Sequence, residues 1–232
     1  MFFTDFQYAL NTWRRSPWLP LTSAVLIVLA DLPSAAGHTA WFWILPSLPF
    51  AVFGVGYVGT ERLWYRRAWN VQGMTPEDVW RASWGYFGRY VRLGLIGLVG
   101  IAVIELPVLV ISHASWTSPI FSILLVVLAV VLDVLATFVT PALAYTTRSA
   151  FRAISIGLST VRQTWPESAL YVLCPPLALA VLLRLFNPEH GLPLLAQDTS
   201  TTLLNLAFKG AVAAYYLRLA IPAEDKAIPL TK

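Results

Sequence analysis

Five ionisable side chains interrupt stretches that are otherwise apolar: Asp31, Glu105, Asp133, Arg184 and Lys209. Asp133 sits near the middle of a long apolar run, Glu105 lies inside another, and Asp31 stands near the end of the first. An ionised group at the centre of a bilayer costs about 2.5–3.5 kcal/mol on insertion scales, so such groups face a bundle interior or a wet cavity and take partners. Lys209 is deep enough to need a counter-charge. Asp133 is its expected partner, because both fall toward mid-membrane. Arg184 is closer to an end and can extend its head to the outer headgroups. Asp133, Glu105 and Lys209 could line a path for a substrate or for protons. They could equally be a buried structural pair, or an acid kept neutral by its apolar site.

The histidines form a second set. His38, His113 and His190 fall in three separate connections, all on the side opposite the basic residues. Brought together, three imidazoles suit a divalent metal such as zinc, or a proton-sensitive patch. Held apart, they are ordinary loop residues, and no local ligand spacing favours the metal. Other reactive signatures are missing. There is no Gly-rich phosphate loop, no His-Glu-x-x-His helix and no Gly-x-Ser-x-Gly elbow. Cys174 is the only cysteine, so no intrachain disulfide can form. No catalytic residue and no cofactor is implied. An enzyme acting on lipid is the third reading, since carboxylates and histidines near an interface can do acid–base work.

A membrane must position these residues. The chain has 232 residues, of which 57% are hydrophobic and 12% charged, against about 25% charged in a soluble domain. Six apolar stretches read as spans: Trp18–Pro33, Trp41–Thr60, Leu93–Ser112, Pro119–Tyr145, Ser168–Phe186 and Thr201–Ile221. A helix crosses with about 20 residues. Fourteen of the 16 Lys and Arg residues fall before the first stretch, between the second and third, between the fourth and fifth, or at the end of the sixth (Arg218) and after it. Positive charge marks the cytoplasmic side, so both termini are expected in the cytoplasm of a plasma membrane. The net charge of +4 suits an anionic inner leaflet and not nucleic acid. No cleaved signal peptide is expected.

Three further segments are amphipathic. Phe2, Phe6, Leu10 and Trp13 share one helical face, as do Trp80, Trp84, Phe87 and Val91, and Phe151, Ile154, Leu158, Val161 and Trp165. Arg81, Arg89, Arg152 and Arg162 lie on or beside the polar faces. Such helices lie flat in the interface. Phe6, Trp80 and Ile154 are 74 residues apart, as are Leu10, Trp84 and Leu158. Asp31-Leu32-Pro33 is echoed 74 residues on by Glu105-Leu106-Pro107. The expected fold is therefore all-α: one integral membrane domain over residues 1–232, with six transmembrane helices plus three interfacial amphipathic helices. Its three parallel repeats are approximately 1–73, 74–147 and 148–232, able to close around an axis normal to the membrane. Small residues at Ala207, Gly210, Ala211 and Ala214, and at Gly94, Gly97 and Gly100, predict close helix packing.

The segment Ser-Ala-Phe-Arg-Ala-Ile-Ser-Ile-Gly-Leu-Ser-Thr-Val-Arg-Gln-Thr-Trp over Ser149–Trp165, followed by a span, resembles the membrane region attached to some bacterial glycerophosphodiester phosphodiesterases. The soluble phosphodiesterase domain has no counterpart, so that activity is not implied. Glu77–Arg92 and the six-span pattern resemble the YesL-like family, small membrane proteins encoded beside bacterial carbohydrate transporters. That resemblance implies an accessory role near a transporter and carries over no catalytic residue. The expected function is a non-catalytic accessory or scaffold protein of the bacterial inner membrane. Its partners are the bilayer and another membrane protein. The rival is a small carrier or channel with a polar path through Asp133, Glu105 and Lys209.

Overall fold

The computed structural model describes residues 1–35, 41–112, 123, 127, 137–185 and 191–220, which form helices and turns with no strand among them. The elements are α1 (Phe2–Arg15), α2 (Trp18–Ala35), α3 (Trp41–Trp69), α4 (Pro76–Ser112), α5 (Val139–Tyr145), α6 (Ala150–Thr164), α7 (Ala169–Leu185) and α8 (Leu192–Ala220). Local chemistry sets several of these ends. Helix α1 stops at Ser16, which leaves the helical region at φ −138° and ψ 72°, because the following Pro17 disfavours helical backbone before it. Helix α4 starts at a reciprocal cap. The Asp78 amide donates to Thr75 Oγ1 at 3.2 Å, and the Thr75 amide donates to Asp78 Oδ2 at 3.2 Å. Pro76 opens the helix, where a missing N–H is harmless. Ser149 caps α6 by accepting from the Arg152 amide. The chain then bends by 107° between α6 and α7.

Two of the amphipathic segments are separate short helices, α1 and α6. The middle one is not. It runs unbroken into the following apolar stretch as the 37-residue α4, because no proline falls between Pro76 and Pro107 to interrupt the backbone hydrogen bonds. Helix α3 continues past the expected end at Thr60 to Trp69. Arg62 is thus no solvated loop charge; it is 4% exposed. Helix α8 begins at Leu192, ahead of the expected Thr201. Most of the expected fourth span, with Asp133, lies outside the described residues, as do His38, His113 and His190.

Packing follows a cyclic order. Helix α1 lies on α8, the first part of α4 on α3, and α6 on α5. Each short segment presents a small buried residue to its seat: Ala9, Ser83 and Gly157, which are 74 residues apart. Ala9 meets Gly210 of α8, Ser83 meets Gly56 of α3, and Gly157 meets Val139 of α5, each too closely for a Cβ on the glycine. The seats α3, α5 and α8 also touch one another pairwise. Their mutual core holds Tyr65, Phe138, Leu143, Leu206 and Ala213, with Tyr171 of α7 against it. At Gly94, Gly97 and Gly100 a Cβ would meet no described atom within 4 Å, unlike at Gly210.

Away from this core, large apolar side chains stand out. Leu95, Leu98, Val99 and Val103 are 54–66% exposed on α4, and Leu177 and Val181 stand out on α7. Among the described residues one helix, over Pro76–Val103, is long and apolar enough to cross a membrane. A second counts if α6 and α7, as far as Leu182, are taken as one bent span.

Candidate functional site

The buried charges gather where α3, α5 and α8 meet. Consecutive residues of α3 both reach Lys209 of α8. Glu61 Oε2 accepts from Lys209 Nζ at 2.6 Å, and Arg62 Nη1 donates to the Lys209 carbonyl oxygen at 2.7 Å. Arg62 Nη2 donates to Thr140 Oγ1 of α5 at 2.8 Å. The Glu61 side chain is 5% exposed. Its second oxygen lies 3.3 Å from Ser23 Oγ of α2. That hydroxyl has one proton and three acceptors in reach, the others being the Leu19 carbonyl at 3.0 Å and Tyr57 Oη at 3.3 Å. Thr22 and Tyr57 are also hydroxyl partners. The node therefore ties four helices through one carboxylate, one ammonium and one guanidinium. Arg62 Nε is buried with no partner among the described residues.

Three tyrosines close the same junction. Tyr65 of α3 donates to the Leu206 carbonyl of α8 at 2.8 Å. Tyr145 of α5 donates to the Arg62 carbonyl of α3 at 2.6 Å. Tyr216 of α8 shares a hydrogen bond with Thr146, just past α5, at 2.8 Å. Each seat helix is thus bonded to the next, and the circuit returns to its start. Below it, Asp5 of α1 is 3% exposed and accepts from both Tyr171 of α7 and Arg218 of α8. Burial pushes the Asp5 carboxyl above its ordinary value, and Tyr171 and then Arg218 pull it partway back.

The sequence-predicted residues fare unequally. Lys209 is at the node, but its partner among the described residues is Glu61; the expected Asp133 lies outside them. Asp31 is half-buried on α2, within electrostatic reach of Asp198 on α8. Arg184 is exposed near the end of α7. Glu105 falls on α4, and nothing is described of its side chain. No group of three His, Cys, Asp or Glu that could hold a metal occurs among the described residues. Glu61 and Arg62 were missed because they follow an apolar run directly and read as its polar edge. The available signal was their helical register: Glu61 and Tyr65 lie one turn apart, on the face that Tyr57 also occupies. No family model matches this sequence, and neither a curated protein nor a solved structure does.

Proposed function

We propose that the chain is a multi-pass protein of a bacterial plasma membrane, with six spans and both termini in the cytoplasm. It serves as a non-catalytic scaffold or accessory partner of another membrane protein, such as a transporter. Three parallel units, roughly 1–73, 74–147 and 148–232, surround a common axis. The seating of α1, α4 and α6 on α8, α3 and α5 in turn supports that arrangement. The bare apolar side chains of α4 and α7 support the bilayer as their cover, since an aqueous monomer rarely leaves so much apolar surface in contact with water. Large basic-rich ends on α3 and on the Arg148–Arg162 segment support the cytoplasmic assignment.

The observation that carries the scaffold reading is the Glu61–Lys209 ion pair. Charges that line a transport path must be free to exchange partners. Here both are held to each other, and Arg62 spends its two terminal nitrogens on protein acceptors. The node works as a staple. Affinity purification from native membrane, followed by identification of stoichiometric partners, tests this; a scaffold retains one. The rival carrier reading has its own support in the unpartnered Arg62 Nε and in two cations facing one described acid. Solute or proton flux in proteoliposomes of the purified chain, abolished by Lys209→Met, would overturn the scaffold.

A further inference from the structure

Two grooves flank α4, and they are the same place in successive units. The first, about 240 Å³, lies where the start of α2 faces the start of α4, and its wall includes Trp18, Thr22, Met74 and Pro76. The second, about 560 Å³, lies between the middle of α4 and the start of α6, with Arg92, Ile96, Arg148 and Ala150 at the matching places. Each of these four pairs is 74 residues apart. Where the first groove has Trp18 and Met74, the second has two guanidinium groups. The change of residue type at both positions of one repeated groove converts an apolar cleft into a cationic one.

Neither Arg92 nor Arg148 is engaged by a hydrogen bond or ion pair with a described residue. An arginine pair with no described acid opposite matches a phosphodiester, which accepts paired N–H donors from each guanidinium. The positive end of the α6 dipole, at its start, favours the same charge. Below the charges the groove is apolar: Leu95, Ile96 and Phe151 line it, with Leu95 54% and Phe151 73% exposed. A free phosphate ion has no use for that wall. We propose that this groove seats one anionic phospholipid, with its phosphate between Arg92 and Arg148 and its acyl chains along Leu95, Ile96 and Phe151. The first groove takes an uncharged chain only. The proposal rests on the bilayer reading above, and places the seat on the inner leaflet, where anionic lipid is concentrated.

Native mass spectrometry of the full chain in detergent, dosed with phosphatidylglycerol, phosphatidylcholine or inorganic phosphate, tests the seat. The wild type should retain one phosphatidylglycerol with a preference of about tenfold over phosphatidylcholine, which carries the same phosphodiester but adds a choline cation that the two guanidinium groups repel. Arg92→Gln with Arg148→Gln should remove the preference. Arg81→Gln, remote from the groove, should leave it intact. Trp18→Arg with Met74→Arg should add a second bound lipid. Equal retention of the two lipids by the wild type overturns the proposal, as does an undiminished preference in the double Gln variant. Displacement of the lipid by inorganic phosphate at similar concentration would reassign the groove to a free anion and overturn it as well. Resistance to alkaline extraction from membranes separates the two readings: a chain that resists extraction yet shows no lipid preference loses only the seat.

Discussion

The Tyr145 hydroxyl donates to the carbonyl oxygen of Arg62 at 2.6 Å. The bond joins α5 to α3 at the residue whose guanidinium holds Thr140 and the Lys209 backbone. Tyr65 and Tyr216 make the corresponding bonds from α3 to α8 and from α8 to the end of α5. A circuit of three such bonds fixes the mutual rotation of three helices, which apolar packing alone leaves loosely determined.

Tyr→Phe at 145 or 216 should therefore destabilise the bundle by about 1 kcal/mol, the net worth of a neutral hydrogen bond, and at 65 by more, because Tyr65 also accepts from Trp13 Nε1 at 2.9 Å. Thermal or denaturant unfolding in detergent measures it. Because the three bonds share the same helices, pairs of substitutions should cost less or more than their separate effects combined, by about 0.5 kcal/mol or more. Strict additivity would show three independent contacts and no circuit.

The Glu61–Lys209 pair makes a sharper prediction. Removing one member leaves the other buried without its counter-charge, so Glu61→Met and Lys209→Met should each cost about 3–5 kcal/mol. The double variant Glu61→Met/Lys209→Met should recover most of that loss, since well-packed apolar groups replace a buried pair at little cost. Melting temperatures of the four proteins form the cycle. A double variant as unstable as the worse single one would mean that Lys209 answers to another acid.

Close approach sets a third expectation. A Cβ on Gly59 would collide with the Tyr86 and Tyr90 rings, and one on Gly210 with Ala9 and Tyr65. Gly59→Ala and Gly210→Ala should each destabilise by about 1–3 kcal/mol through overpacking. Gly54→Ala on the same α3, and Gly97→Ala on α4, meet nothing within 4 Å. They should be neutral or stabilising by up to about 1 kcal/mol, the helix preference for alanine. Equal effects at Gly54 and Gly59 would remove the tight α3–α4 seam.

These residues also mark what the sequence makes legible. The helical class, the separate α1 and α6, the cap at Thr75 and the close packing of Ala207, Gly210, Ala211 and Ala214 all follow from local pattern: periodicity, proline position, side-chain size. Nothing local identifies Glu61 as the partner of Lys209, because the two are 148 residues apart in the chain and each stands in a different kind of neighbourhood. Arg62 misleads for the same reason. Its charge counts toward a cytoplasmic loop in any one-dimensional reading, while tertiary packing draws it inside. The Gly94–Gly100 strip is a different case: small residues predict a close neighbour, and no described atom lies within 4 Å of where their Cβ atoms would be.

Asp5 supplies a test by pH. Its carboxyl, ordinarily at 3.8, is raised in the folded chain chiefly by burial. The folded state therefore holds the proton more tightly than the unfolded state does, and protonation favours folding. The contribution of Asp5 is fully present below 3.8 and is lost as pH rises through the folded value. Acidification from neutral toward pH 4 should stabilise the docking of α1 through this group. Asp5→Asn keeps an acceptor for Tyr171 and Arg218 but cannot titrate, so the variant should lose that part of the pH slope while remaining folded. The measurement is the difference in stability between wild type and Asp5→Asn across this range, by unfolding in detergent. The gap should move in favour of the wild type as pH falls. A gap that moved the other way would mean that the Arg218 guanidinium outweighs burial, and that Asp5 is held as a carboxylate throughout.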